Sequence, residues 1–198
     1  MDDQGPKGWY SRGYLPHFDG GEMPQLVTFG LVDAVPAQRI EEWREQLRLV
    51  PDEQAKAILR RRIDRHLDRG YGRPLLRTPQ IAEVAQQAFL HFDGDRYRLS
   101  AWVVMPNHVH VLCTPDRDHR LPDIVHSWKS FTAHEANRLL GRTGSFWHRD
   151  FWDRFLRDER HLRAAVSYIE WNPVQAGLCA RQEEWPFSSA NPRFRSVP

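Results

Sequence analysis

The sequence has little of several features that define specialised classes of protein. Only two of its 198 residues are cysteines, Cys113 and Cys179, too few and too far apart for a disulfide framework or a thiolate zinc site. No run of about eighteen apolar residues occurs, and the N-terminal segment has no signal-peptide core. We therefore expect no membrane span, no export and a reducing, cytoplasmic environment.

A large excess of positive charge is also missing. The net charge is only +2, so charge alone is a weak argument for nucleic-acid binding. Among the 28 basic residues, however, only Lys7, Lys56 and Lys129 are lysines, and arginine is the better partner for phosphate. Eight tryptophans and ten phenylalanines offer surfaces for base stacking. Composition by itself fits solvated arginines and core aromatics better, so the case for DNA depends on motifs.

The order of the predicted elements indicates one α+β domain. The sequence predicts an extended arm over residues 1–24, a domain over 25–189 with an arginine-rich helical insert at about 50–94, and a tail over 190–198. Strands are predicted at 25–32, 96–105, 108–114 and 146–156, and helices at 37–49, 52–68, 79–92, 121–140 and 158–171. Thr78 is the expected N-cap of the third helix, and Asn172-Pro173 is expected to end the last one. This order is typical of an antiparallel sheet with helices mainly on one face.

The sharpest motif is Met105-Pro106-Asn107-His108-Val109-His110-Val111-Leu112. Side chains alternate along a strand, so His108 and His110 should project from one face while Val109 and Val111 pack on the other. Two imidazoles on one face can converge on one divalent cation. Taken alone, the pair fits two surface histidines on a half-exposed strand better than a metal site.

A second motif is Tyr168-Ile169-Glu170-Trp171-Asn172-Pro173. Positions four apart share a helical face, so Tyr168 as a nucleophile and Asn172 as an oxygen ligand could reach one site. The position of Asn172 before a proline weakens this argument, because that backbone should leave the helix. Taken alone, the segment fits a core tyrosine and a helix stop better.

Together, in this order, the two motifs resemble those of the REP-associated tyrosine transposases, members of the HUH single-strand transposases with one catalytic tyrosine. The segments that carry the resemblance are RGYLPHFD, AWVVMPNHVHVL, SWKSFTAHEANRLL, SFWHRDFWDRFLRDERHLRAAVSYIEWNPVQAGL and WPFSS. The resemblance implies a ferredoxin-like sheet with the histidines on a central strand and the tyrosine helix docked over them. It also implies metal ligands at His108, His110 and Asn172, and a nucleophile at Tyr168.

The resemblance further implies a monomeric, nucleoid-associated enzyme that uses Mg or Mn. It would cleave and rejoin single-stranded REP-like hairpin DNA through a 5′-phosphotyrosine intermediate. The insert departs from the family pattern and leaves the DNA-contacting surface open. Candidate contacts are Lys129, Arg149, Arg154, Arg60, Arg61, Arg62 and Arg65 for phosphates, and Trp147 or Trp152 for an unpaired base.

Two other functions remain open at this point. The chain could be a catalytically silent, domesticated DNA-binding protein, although every expected catalytic residue is present. It could also be a metallohydrolase that uses the histidine pair without the tyrosine.

Overall fold

The computed structural model describes residues 8–11, 16–19 and 21–194. Its helices are α1 (Ala37–Gln46), α2 (Asp52–Asp68), α3 (Pro79–Leu90), α4 (Leu121–Leu139) and α5 (Glu159–Gln175). Its strands are β1 (Gly8–Ser11), β2 (Pro16–Asp19), β3 (Gln25–Gly30), β4 (Tyr97–Val104), β5 (His108–Pro115) and β6 (Trp152–Phe155). None of the helices in these ranges combines the length and the apolar character needed to cross a membrane.

Four strands form one antiparallel sheet in the order β4-β5-β3-β6. The register pairs Thr28 of β3 with His110 of β5 on one side and with Trp152 of β6 on the other. The β4-β5 hairpin turns at Pro106-Asn107, as the sequence predicts. This order places the histidine strand β5 inside the sheet, so the expected ferredoxin-like arrangement is confirmed.

The two faces of the sheet are covered differently. Val109, Val111 and Cys113 of β5 belong to the main core, to which α3 and α4 also contribute. On the other face, Leu112 packs in a smaller cluster with Ile169 of α5. The sheet is therefore covered by two helices on the core face and by α5 on the histidine face, which leaves only part of that face open.

Two predicted boundaries were wrong. Residues 146–151 form no strand apart from an isolated bridge at Trp147, and β6 is only four residues long. Helix α5 continues through Asn172 and Pro173 to Gln175, because the preference of a pre-proline residue for extended backbone is a bias that tertiary packing overrides. The arm over residues 1–24 stays a prediction: it contains an antiparallel β1-β2 pair, and its residues 1–7, 12–15 and 20 lie outside the described residues.

The insert predicted at about 50–94 contains α2 and α3, and α2, its arginine-rich helix, has two distinct sides. Leu59, Ile63 and Leu67 recur every four residues and are buried in the main core. The neighbouring stripe of Arg60, Asp64 and Asp68 turns toward the histidine face of the sheet. Since this repeat is close to the helical period, each stripe keeps one side of α2 along its length.

Candidate active site

The side chains of His108 and His110 on β5 lie on the same face of the sheet, as the alternation of side chains along a strand predicts. Both His108 and His110 are completely buried, and their Nε2 atoms lie 3.0 Å apart. The expected convergence of the two rings is therefore present in the structure.

Hydrogen bonds to the other ring nitrogens orient the pair. Asn107 donates its amide to the carbonyls of Leu67 and Tyr71, so its Oδ1 faces Nδ1 of His108 at 2.7 Å. Because an amide oxygen only accepts, Nδ1 of His108 carries the proton and Nε2 presents a lone pair. The Thr28 hydroxyl lies 2.7 Å from Nδ1 of His110 and can accept in the same way. Such outer partners are typical of metal-binding histidines.

The electrostatic environment keeps His108 neutral. Burial lowers the pKa of His108 to about 4, although Asp68 acts in the opposite direction. A neutral imidazole is the form that binds a metal ion. At neutral pH His108 is therefore already in its ligating form.

Asp68 of α2 supplies a carboxylate that the sequence motifs did not indicate. Its Oδ1 lies 3.6 Å from Nε2 of His108 and 3.8 Å from Nε2 of His110. The three groups have ligand atoms within 4.8 Å of one another, a mixed nitrogen and oxygen set that suits Mn and related divalent ions. Burial favours a higher pKa for Asp68, but the proximity of both histidines outweighs it and holds that pKa well below its ordinary value.

Tyr168 and Asn172 extend from α5 toward the same carboxylate. The Tyr168 hydroxyl lies 3.4 Å from Oδ2 of Asp68 and 3.4 Å from Nε2 of His110. Asn172 donates its amide to Oδ1 of Asp68 at 3.3 Å. Its own Oδ1 is enclosed and has no hydrogen-bond partner in the described part of the chain, so an oxygen donor is available there for a cation.

A second carboxylate stands one helical turn before Asp68. Asp64 lines the cleft beside Tyr168, and its Oδ1 is enclosed without a partner among the described residues. Burial raises the pKa of Asp64 to about 6. Burial, followed by the charges of Asp64 and Asp68, also raises the pKa of Tyr168 above its ordinary value. Without added positive charge, the tyrosine is therefore held in its protonated form.

The signal for these two acids was present in the sequence but was weak. Asp64 and Asp68 are spaced four residues apart on a predicted helix, which puts both on one face. Acidic residues at this spacing are common on solvated helices, however. Only the packing of α2 against β5 distinguishes this pair from a surface pair.

Arginines line the mouth of the site. An open cleft of roughly 450 Å³ reaches Tyr168 and Asp68, and its other lining residues include Arg60, Arg61, Arg65, Arg154 and Trp152. Arg61, Arg65 and Arg154 are solvent-exposed. Four of the predicted phosphate-contacting residues and one predicted aromatic therefore lie around the candidate nucleophile.

The remaining candidates lie elsewhere. Lys129 donates to the carbonyls of His148 and Arg149, so its ammonium group holds a loop in place. Trp147 is buried in the core and donates to Thr132, which leaves no ring face for a base. Arg62 donates to Gln46 on the opposite side of α2. Arg149 is exposed but is not among the residues that line the cleft.

Comparison with known proteins matches this site to a family. The model of the family described as "Transposase IS200 like" matches residues 73–172, half of the chain. That span includes both histidines, Tyr168 and Asn172. The chain belongs to the IS200-like transposase family. The matched region begins within the insert and excludes both of its acids, so this IS200-like transposase carries α1 and α2 outside the region that the family model describes.

Relatives confirm the more specific resemblance. The REP-associated tyrosine transposase of Escherichia coli (strain K12) is 29% identical over 109 residues, which is 54% of this chain and 63% of that protein. A Haemophilus influenzae relative is 30% identical over 96 residues, or 43% of this chain and 54% of its own length. The chain thus spans less than two thirds of the length of either relative.

A solved structure supports the fold. It is the structure of a REP-associated tyrosine transposase bound to a REP hairpin, and it is 22% identical to this chain with a TM-score of 0.57. The match covers 91% of this chain and 81% of the other. At 22% identity, this similarity shows that the two proteins share a fold.

Proposed function

We propose that this IS200-like transposase cleaves and rejoins single-stranded DNA, with Tyr168 as the nucleophile. The observation that carries the proposal is the 3.4 Å approach of the Tyr168 hydroxyl to both Asp68 and His110, at the base of an arginine-lined cleft. A nucleophile, a proton acceptor and phosphate-binding groups are the parts that phosphodiester transfer needs.

The reaction follows from these contacts. The Tyr168 oxygen attacks phosphorus, and its proton passes to the two carboxylates beside it, Asp68, which already accepts its hydrogen bond, and Asp64. The bond between phosphorus and the 3′ oxygen breaks, and that oxygen takes a proton from solvent to leave a 3′-hydroxyl. The product is a 5′-phosphotyrosine. A second 3′-hydroxyl can then attack this link and rejoin DNA without an external energy source, because the covalent intermediate conserves the bond energy.

The donor set fits a divalent metal. His108 and His110 offer ring nitrogens, Asp68 a carboxylate, and Asn172 an enclosed oxygen that has no other partner in the described residues. When bound, Mg or Mn would polarise the scissile phosphate and offset the charge that develops on it. In this arrangement the arginines of the cleft hold the DNA backbone, while Thr28 and Asn107 keep the imidazoles aligned.

The hairpin substrate is inferred from the relatives. A REP-associated tyrosine transposase of the same fold is known with a REP hairpin bound, and we propose a REP-like hairpin with an unpaired flank as the substrate here. Such an enzyme would act at the nucleoid. Because the same chain supplies Tyr168 and the histidines, we propose that it works as a monomer.

The decisive experiment is capture of the covalent intermediate. The purified protein is incubated with end-labelled single-stranded hairpin DNA and Mn or Mg, and the products are separated on a denaturing gel. We expect a labelled band at the mass of protein plus DNA, lost when EDTA is added. Binding without an adduct on any hairpin tested would favour the silent DNA-binding protein, and cleavage without an adduct would favour the metallohydrolase.

A further inference from the structure

Helix α2 separates the catalytic cleft from a second cleft on its opposite side. This second cleft lies between α1, α2 and the segment after α2, and it has two connected parts of roughly 580 and 210 Å³. Trp43, His66 and Arg69 line both parts. The α2 side chains that face it, Arg62, Arg65 and His66, lie about a third to a half of a turn around the helix from Asp64 and Asp68.

The second cleft contains a stacked pair of rings with one open face. Tyr71 stacks on His66 with ring centroids 4.4 Å apart and planes at 23°. Trp43 meets the His66 ring edge-on at 5.6 Å. Tyr71 is 49% exposed, although a large aromatic side chain usually buries most of its area. An exposed, oriented ring of this kind is a platform on which a planar group can stack.

Positive charge surrounds the platform. No described carboxylate lies in ion-pair contact with Arg65 or Arg69, whereas Asp33 at the rim is already paired with Arg73 at 2.8 Å. Arg39 also lines the cleft, where it is paired with Glu42 at 3.0 Å. The unsatisfied charge in the cleft is therefore positive.

The two clefts share a lining residue. Arg65 lines both the catalytic cleft and the second cleft, so a phosphate chain that crosses α2 at Arg65 passes from one to the other. The platform is also tied to the active site, because the Tyr71 carbonyl accepts from Asn107, whose Oδ1 contacts His108. The next residue, Gly72, has a φ of +87°, and a Cβ there would lie 2.8 Å from the Asp33 carbonyl, which fixes the turn that presents Tyr71.

We propose that the second cleft binds unpaired nucleotides of the DNA strand engaged at Tyr168, with one base stacked on Tyr71 and its phosphates on Arg65 and Arg69. The proposal rests on the function proposed above only for its choice of single-stranded DNA. Stacking with arginine contacts is the usual means of holding an unpaired strand without reading its sequence. The cleft thus lengthens the footprint of the enzyme beyond the hairpin and favours substrates with a single-stranded flank.

The test measures binding in the absence of cleavage. A fluorescein-labelled oligothymidine long enough to span both clefts is titrated in EDTA with protein that carries Tyr168→Phe, and anisotropy gives the Kd. Tyr71→Ala should weaken binding about tenfold, and Tyr71→Phe should not, because the ring is what stacks. Arg69→Ala should also weaken binding and reduce the salt dependence. The matched controls, Phe131→Ala on an exposed aromatic and Arg138→Ala on an exposed arginine of α4, should leave Kd unchanged.

An abasic strand of the same length separates stacking from charge. Tyr71→Ala should make no difference on that strand, while Arg69→Ala should still weaken binding. Equal Kd values for the parent and Tyr71→Ala on oligothymidine, or a loss that Phe131→Ala reproduces, would overturn the proposal. Absence of a covalent adduct in the wild-type protein would instead remove the proposed catalysis and leave this binding site in place.

Discussion

The hydroxyl oxygen of Tyr168 lies 3.4 Å from Nε2 of His110, although 58 positions separate the two residues in the chain. The same hydroxyl lies 3.4 Å from Asp68, 100 positions away. Three elements, α5, β5 and α2, therefore meet at one oxygen atom.

Tyr168→Phe removes the attacking oxygen and keeps the ring that packs against His110. Strand cleavage and the covalent adduct should fall to background, while Kd for hairpin DNA should change by less than about threefold, since the phenol is needed for bond formation only. Cleavage is measured on denaturing gels. A DNA-linked peptide that maps to Tyr10, Tyr14, Tyr71 or Tyr97 would identify another nucleophile.

Thr28→Val removes the hydroxyl that orients His110 while keeping the shape of the side chain. Loss of such an outer partner should weaken Mn binding by about 10- to 100-fold, measured by calorimetric titration of the protein without DNA. Thr28→Ser keeps the hydroxyl and should bind Mn as the wild type does. If Thr28→Val retains full Mn affinity, the His110 ring is held by packing alone.

Asp64→Asn should stabilise the metal-free protein in a pH-dependent way. Burial raises the pKa of Asp64 from 3.8 to about 6, so the folded state holds this proton more tightly than the unfolded state does. The wild type then loses stability as pH rises through about 4 to about 6, on the order of 1–3 kcal/mol. In EDTA, the variant should melt several degrees higher at about pH 8 and show little gain at about pH 4.

Arginines at the catalytic cleft should add affinity without sequence preference. Alanine at Arg60, Arg61 or Arg65 should weaken DNA binding and reduce the slope of log K against log salt by about 0.7 for each lost contact with single-stranded DNA. Arg62, on the far side of α2, should affect only strands long enough to reach the second cleft. If a variant with alanine at all three of Arg60, Arg61 and Arg65 keeps the salt slope of the wild type, α2 faces away from DNA.

Catalysis should occur within one chain. Since Tyr168 already lies beside His110 of the same chain, a mixture of Tyr168→Phe and His110→Ala proteins should not recover cleavage. Light scattering at low micromolar concentration should give the mass of a monomer. Recovery of activity in the mixture would instead indicate exchange of the tyrosine helix between two copies.

Local patterns in the sequence were enough to predict much of the fold. Helix α2 was predicted with its observed bounds, Asp52–Asp68, because its stop at a glycine-rich turn and its apolar spacing are local signals. The placement of His108 and His110 on one face also followed from the alternation of a strand. The end of α5 was wrong, because a proline at Pro173 biases the backbone locally while packing on the sheet carries the helix further.

The sequence by itself was enough to predict that His108 and His110 share a face, that Tyr168 lies on a helix and that the chain resembles this family. Each of these predictions depends on residues close together in the chain. Only the tertiary structure decided that Asp68 joins the histidines, that of two buried tryptophans Trp152 borders the cleft and Trp147 does not, and that α2 separates two basic clefts. These facts depend on how an inserted helix packs against a strand some 40 residues later. Contacts at that separation depend on the shape and burial of whole surfaces, and the short-range periodicity of the sequence does not predict them.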